Sequence, residues 1–224
     1  MDDFRNYLKD YLEVWPDLTM EQQNQLVNNS VYKSYAPLQM LKTQDSGCLG
    51  LLLVLEGEIR VYMLSDEGKE ITLYRLNAGE VCIFSSMCVL NQINFDVFIE
   101  CMSPVKIIQV NTMSLGLVSK ANPIFENFLL HLTIDRFNDV MWSMQQILFK
   151  SMDVRLATFL LDEVNNNHSL ELQITHETIA KYVGSAREVI SRTLKYFESE
   201  KLVKLKRGYV IILDKNRLLQ LINQ

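Results

Sequence analysis

The sequence predicts an α+β chain: an N-terminal double-stranded β-roll of the jelly-roll-like kind, one long helix, and a C-terminal winged helix-turn-helix. Three observations predict it. Short β-rich runs fill residues 31–110, punctuated by Gly57, Gly68 and Gly79 at eleven-residue intervals. An amphipathic helical pattern then follows Pro123. Near the C-terminus, Ala180, Gly184 and Ile190 stand where two helices crossing at a tight turn need a small residue, a turn glycine and an aliphatic that packs back.

Phe4, Tyr7, Leu8, Tyr11 and Leu12 form one face of an opening helix, and Trp15-Pro16 ends it. Thr19 can cap a second short helix running toward Val27. Predicted strands cover 51–55, 59–64, 71–76, 81–84, 96–101 and 105–110. The recurrent glycines sit in polar turns, where positive φ lets strands reverse. Pro123 is tolerated at the start of the long helix because its missing N–H has no partner there. Along that helix Leu130, Thr133, Phe137, Val140, Met144 and Ile147 fall at alternating steps of three and four, a seam suited to a partner helix. Ile134, Met141 and Leu148 form an adjacent row that could serve the roll. Ser151-Met152-Asp153 reads as a hinge, with Asp153 capping a helix that carries Leu156, Phe159, Leu160 and Val164. A polar loop at 165–169 precedes a short strand at 170–174. The expected division is a sensor domain over 1–118, a dimerisation helix and hinge over 119–152, and a winged helix-turn-helix over 153–224.

The 224 residues are 48% hydrophobic and 22% charged, ordinary for a globular chain able to bury two modest cores. No apolar run reaches the ~18 residues of a membrane span. The start, Met1-Asp2-Asp3-Phe4-Arg5, lacks the basic and apolar regions of a signal peptide, so a cytoplasmic chain without a membrane partner is expected. Cys48, Cys82, Cys88 and Cys101 form neither a CxxC nor a His-linked zinc spacing, and buried reduced thiols are expected, with no metal. The net charge of −5 argues against a polyanionic partner, but its distribution reverses the argument. Residues 175–224 hold ten Lys/Arg and five Asp/Glu, leaving −10 for the rest of the chain. An acidic domain joined to a basic one suggests contact with nucleic acid.

The segment 175–192 carries the strongest signal. Thr175 is a plausible N-cap, and Ser185 can cap the second helix after Gly184. That helix presents Arg187, Glu188, Ser191, Arg192 and Lys195 on one side, and Val189, Ile190, Leu194 and Phe197 on the other. Arginine can take guanine O6 and N7 bidentately, and glutamate can accept from cytosine N4. Arg187, Glu188, Ser191 and Arg192 are therefore the candidate base readers of double-stranded DNA. Residues 202–213 read as a hairpin turning at Arg207-Gly208, a wing. Thr175, Ser185, Lys195, Lys204, Lys206 and Arg207 are candidates for phosphate contacts, which position a protein without specifying sequence.

With these residues in hand the chain resembles the Crp/Fnr family of bacterial regulators over nearly its whole length. The glycine-punctuated roll, the long helix, Asp153-Val154-Arg155-Leu156-Ala157 at the hinge, and Gly184, Arg187, Glu188 and Arg192 in the recognition segment match in order. The resemblance implies a homodimer on a palindromic site, reorientation of the DNA domains against the long helix, and RNA polymerase as a partner. Glu188, Ser191 and Arg192 are similar to the Fnr branch and imply a TTGA-type half-site. Arg187 is similar to the Crp branch, which leaves the outer bases open.

Cyclic-nucleotide-binding members use a glutamate for the ribose and an arginine for the phosphate. The corresponding stretch here, 79–96, has no Arg. No Lys or Arg lies between Arg75 and Lys106, while Asp96 and Glu100 are negative. A buried phosphate without a cation is costly, so the sequence argues against cAMP. The absence of cysteine before Cys48 argues against an N-terminal iron–sulfur cluster. The pocket candidates are Cys82, Phe84, Met87, Cys88, Phe95 and Val97, with Val140 and Met141 from the long helix. They leave open an apolar small-molecule effector, a haem, thiol chemistry at Cys82 and Cys88, or a filled core with no ligand. Low-pKa thiols need nearby positive charge, which the local sequence does not supply. His131, His168 and His176 have no ligand spacing, and His131 is expected on the helix surface. No catalytic motif is present, and an enzyme is not expected. The alternatives to an effector-controlled regulator are an interaction adaptor built on the roll and a ligand-independent regulator.

Overall fold

The structure is a computed structural model and describes residues 2–43, 49–83 and 97–223. It divides into two compact units, Met1–Met63 with Leu73–Met141, and Leu64–Thr72 with Trp142–Gln224. The candidate residues Phe84, Met87, Cys88 and Phe95, like Cys48, lie outside the described residues.

The first unit opens with α1 (Asp2–Tyr11), a 3-10 turn at Trp15–Asp17 and α2 (Met20–Asn28). Thr19 forms a capping box: its Oγ1 accepts from the Gln22 N–H at 3.3 Å, and Gln22 Oε1 accepts from the Thr19 N–H at 3.0 Å. Among the described residues eight strands follow: β1 (Ser30–Tyr35), β2 (Met40–Lys42), β3 (Leu51–Glu56), β4 (Glu58–Leu64), β5 (Glu70–Asn77), β6 (Val81–Cys82), β7 (Phe98–Cys101) and β8 (Val105–Val110). They form two four-stranded sheets, ordered β1-β8-β3-β6 and β2-β7-β4-β5. Strand alternation splits β3 between two cores. Leu51 and Leu53 pack with Leu8, Leu12, Trp15, Leu26 and Phe125, while Leu52 and Val54 pack with Ile59, Val61 and Ile99 from the other sheet and with Ile107 from their own. The turn at Gly57 has φ +84°, and a Cβ there would collide with the Pro104 carbonyl, so only glycine joins β3 to β4 in this way.

Three elements of this unit, β1, β2 and α3, are not predicted by periodicity. β1 and β2 were not resolved within the β-rich region as separate strands. α3 (Thr112–Ala121) has a side-chain cap, Asn111 Oδ1 accepting from the Ser114 N–H at 2.8 Å, and buries Leu115 and Val118. Then α4 (Pro123–Phe149) begins, with Asn122 Oδ1 accepting from the backbone N–H of Ile124 and Phe125.

Alternate positions of the predicted seam on α4 differ in exposure from their neighbours in the second row. Thr133 is half-buried and donates to the Leu129 carbonyl at 2.8 Å, Val140 packs against the inter-sheet core, and Ile147 is half-buried. Ile147 also lies beside Gly184, with its Cδ1 3.6 Å from where a Cβ would stand. Ile134, Met141 and Leu148, assigned by sequence to the roll, are 53%, 47% and 65% exposed. With Leu130, Phe137 and Met144, also exposed, they step by four and three residues along one face. The exposed apolar seam is therefore 130, 134, 137, 141, 144 and 148. The two candidate rows lie one residue apart, too little for hydrophobicity alone to choose between them.

The second unit contains α5 (Met152–Asn167), β9 (Glu171–Gln173), α6 (His176–Val183), α7 (Arg187–Ser199), β10 (Val203–Lys206), β11 (Tyr209–Ile212) and α8 (Lys215–Ile222). Ser151, not Asp153, caps α5, accepting from the Val154 N–H at 3.5 Å, while Asp153 sits in the first turn. An acidic residue there still favours the positive end of the helix dipole, which is why it imitated a cap. The predicted strand at 170–174 is the shorter β9. α8 was not foreseen, although Asp214 caps it and Leu218 is fully buried. The three strands form a sheet in the order β10-β11-β9.

Candidate nucleic-acid interface

α6 and α7 are held by the second unit's core. Ile179 and Ala180 from α6 meet Ile190, Leu194 and Phe197 from α7 and Leu156, Ala157 and Leu160 from α5. All but Ala180, at 4%, are fully buried, and small size at 180 permits the close crossing. Gly184 ends α6 in the left-handed conformation at φ +67°. Arg155 Nη1 donates to the Val183 carbonyl at 3.4 Å, tying α5 to that helix end. Burial holds the Arg155 pKa below its usual value.

Thr175 caps α6 as expected, its Oγ1 accepting from the Thr178 N–H at 3.1 Å. The cap predicted at Ser185 is not present. Ala186 occupies the N-cap of α7 with no side-chain bond, and the Ser185 N–H donates to the Ala180 carbonyl at 3.0 Å. Ser185 belongs to the turn, so the first N–H groups of α7 receive nothing from an N-cap side chain.

Arg187, Glu188, Ser191, Arg192 and Lys195 together line one open concavity of about 480 Å³. Arg187, Glu188, Arg192 and Lys195 are exposed and Ser191 is half-buried. Arg187 Nε stands 3.9 Å from Glu177 Oε2, a loose pair of two well-exposed side chains that a polyanion can displace cheaply. His176, which shows no ligand spacing in the sequence, has a different setting in the fold. As the first residue of α6, it places Nδ1 2.9 Å from Ser191 Oγ. Burial first, then Arg187 and Lys195, hold its pKa below the ordinary histidine value. The wing pairs β10 with β11 around Gly208, with Lys204, Lys206 and Arg207 exposed. Lys206 Nζ lies 3.5 Å from Glu171 Oε1.

The sensor candidates have a different setting. Cys82 and Val97 are buried in the inter-sheet core, and Val140 packs against it, whereas Met141 is exposed. The Tyr74 hydroxyl lies 3.9 Å from Cys82 Sγ, and burial raises the Tyr74 pKa well above its usual value. Cys101, also buried, has its thiol pushed up to about 12, by burial first and the Glu100 charge second.

The cation count near the roll needs correcting. Arg136, one turn before Val140, places its guanidinium 5.4 Å from the Tyr74 ring centroid, 3.0 Å from Asp139 and 4.0 Å from Glu80. Arg60 is fully buried opposite Glu100 across β4 and β7, with Nη1 3.4 Å from Glu100 Oε2. Glu100, one of the two negative residues noted in the stretch without Lys or Arg, is thus paired within the sheet. His131 is exposed on α4. Among the described residues no group of three or more His, Cys, Asp or Glu could hold a metal ion, and no helix is long and apolar enough to cross a membrane.

Comparison with known proteins agrees with this geometry. The family described as the Crp-like helix-turn-helix domain matches residues 154–221. A solved structure of a transcriptional regulator assigned to the crp/fnr family, from Eubacterium rectale, is 41% identical, with a TM-score of 0.90 over 96% of this chain and 99% of that one. Among curated proteins, the electron transport regulator A of Shewanella oneidensis is 25% identical over 84% of this chain and 73% of its own length. The cAMP-activated global transcriptional regulator CRP of Pasteurella multocida is 22% identical over 72% and 80%.

Proposed function

The chain belongs to the Crp/Fnr family of DNA-binding transcription regulators, and from that premise we propose that it acts as a homodimer on a palindromic site with TTGA-type half-sites. The observation that carries this reading is the single open face on which Arg187, Glu188, Ser191, Arg192 and Lys195 meet. The N-terminal turns of such a helix reach base edges in the major groove. Arg192 and Arg187 offer bidentate donors to guanine, and Glu188 and Ser191 read neighbouring pairs. Thr175, Ser185, Lys195, Lys204, Lys206 and Arg207 supply the phosphate contacts. RNA polymerase is the partner through which a regulator of this kind acts, in the cytoplasm.

Dimerisation through α4 is supported by its exposed seam of Leu130, Ile134, Phe137, Met141, Met144 and Leu148. Contiguous apolar surface of this kind marks an association site, and the alternating spacing suits a two-helix coil. Phe137→Glu is expected to convert a dimer into a monomer in analytical ultracentrifugation and to weaken binding to a two-half-site duplex far more than to a single half-site. A variant that stays dimeric removes α4 from the interface.

The effector of the roll is read as something other than cAMP. Arg136 is the cation that sequence reasoning lacked, but Asp139 and Glu80 already engage it, so an incoming phosphate would meet two carboxylates around one guanidinium. Replacing their contacts and desolvating a phosphodiester beside them is unfavourable. The site suits an apolar effector or none. Titration of a palindromic duplex over increasing salt tests the central reading. A specific complex whose affinity falls steeply with salt supports it, and indifference to duplex sequence at every salt removes it.

A further inference from the structure

His176 and Ser191 form a hydrogen bond that joins the start of α6 to the middle of the recognition face. We propose that His176 is a proton-controlled specificity residue, whose protonation state sets whether the Ser191 hydroxyl meets a base edge as acceptor or as donor. This rests on the recognition-face reading above and adds a regulator to it.

The chemistry follows from the two atoms. A hydroxyl has one proton to donate and two lone pairs to accept with. When the ring is neutral with its proton on Nε2, Nδ1 accepts from Ser191, and the serine proton is spent on the histidine. The remaining lone pairs of Oγ then suit the exocyclic amines of adenine N6 or cytosine N4. When the ring is protonated, both nitrogens are donors. Nδ1–H then donates to Ser191 Oγ, and the serine proton is released for thymine O4 or for guanine O6 and N7. Starting from the neutral ring with its proton on Nε2, one added proton thus changes Ser191 from a group that can only accept from a base into one that can also donate, although the serine itself does not titrate.

The surroundings set the resting state. His176 is half-buried, and the positive end of α6 opposes a cation at its first position. Arg187 and Lys195, both from α7, oppose it as well, and together with burial they hold the pKa below the ordinary value. Glu177, next in the chain, faces Arg187. On α5, which also packs on α6, Arg155 is bonded to the Val183 carbonyl at the far end of the helix. The free protein therefore keeps His176 neutral to a lower pH than an ordinary histidine. Phosphates of a bound duplex would draw that limit upward, toward physiological pH.

The test is a binding panel in which each base pair of the half-site is varied in turn, between pH 5.5 and 8 at fixed ionic strength. At one pair the wild type is expected to prefer adenine or cytosine at pH 8, and to shift toward thymine or guanine at pH 5.5 by roughly three- to tenfold. Preferences at the other pairs stay constant. His176→Gln and Ser191→Ala are each expected to abolish that shift. Preferences at every pair that ignore pH, with sequence specificity intact, overturn the proposal while the recognition-face reading stands; so does a shift that survives in His176→Gln. Loss of all sequence preference at every pH instead overturns the recognition-face reading.

Discussion

The two units handle positive charge in opposite ways. In the roll, Arg60 has no exposed side-chain surface and faces Glu100, and Arg136 lies under Tyr74 between Asp139 and Glu80. In the C-terminal unit, Arg187, Arg192, Lys195, Lys204, Lys206 and Arg207 are exposed, and the pairs of Arg187 with Glu177 and Lys206 with Glu171 join exposed side chains. A buried paired cation organises its own chain, and removing its partner strands a charge in a poorly solvated site. An exposed cation contributes little to folding and gives up its solvent or carboxylate readily when a phosphate arrives. The difference explains how a chain of net charge −5 can present a surface suited to a polyanion.

The strongest way to break this comparison is to remove Arg60. Arg60→Ala removes the guanidinium that faces the buried Glu100 at 3.4 Å and lies 4.3 Å from the Tyr62 ring. The expected loss is about 3–5 kcal/mol of unfolding free energy in denaturant titration. The double substitution Arg60→Leu with Glu100→Leu is expected to recover most of it, because both the stranded charge and its desolvation cost are gone. A single variant as stable as the wild type would show that the pair is solvated, and the contrast with the C-terminal unit would fall.

Arg192→Ala is the counterpart on the other side and has a smaller effect of a different kind. Discrimination at the half-site guanine should fall by about 1–3 kcal/mol, measured as the ratio of affinities for cognate and substituted duplexes. Weak, salt-sensitive binding should persist, because the phosphate contacts are untouched. Folding stability should stay within about 0.5 kcal/mol, as for surface substitutions generally. Unchanged base preference would remove Arg192 from the reading face.

The helix-turn-helix was legible because its signals are local. Thr175, Ala180, Gly184 and Ile190 span one short segment, and each performs a task that its residue type states outright: a cap, a close crossing, a left-handed turn, a core contact. The roll was legible as a class through its glycine-marked reversals. What escaped depended on distant partners. Arg60 and Glu100 are forty residues apart, and nothing local says that they pair. A count of cations along the strands does not include Arg136, which α4 brings to Tyr74 and Glu80. On α4, Thr133, Val140 and Ile147 satisfy the same spacing as the exposed residues but are half-buried, a difference that spacing alone does not show. His176 looked like an isolated histidine until folding set it against Ser191, fifteen residues on. α3 and α8 were missed although Asn111 and Asp214 were readable as caps. Ser185, conversely, has a capping side chain but falls one residue too early.

Lys206 gives the finest test of the comparison. Its pair with Glu171 resembles that of Arg60 with Glu100 in length, 3.5 Å against 3.4 Å, but both members are about half exposed. If exposure rather than distance decides what an ion pair is worth, Lys206→Ala should leave the denaturant midpoint nearly unchanged. The variant should instead bind all duplexes more weakly by a similar factor, and the slope of log affinity against log salt should become shallower by about one. Glu171→Gln should act in the opposite direction, freeing Lys206 and modestly tightening binding at low salt. A loss of stability in Lys206→Ala comparable to that of Arg60→Ala would mean that pair geometry outweighs solvent, and the two units would then differ in composition but not in their electrostatics.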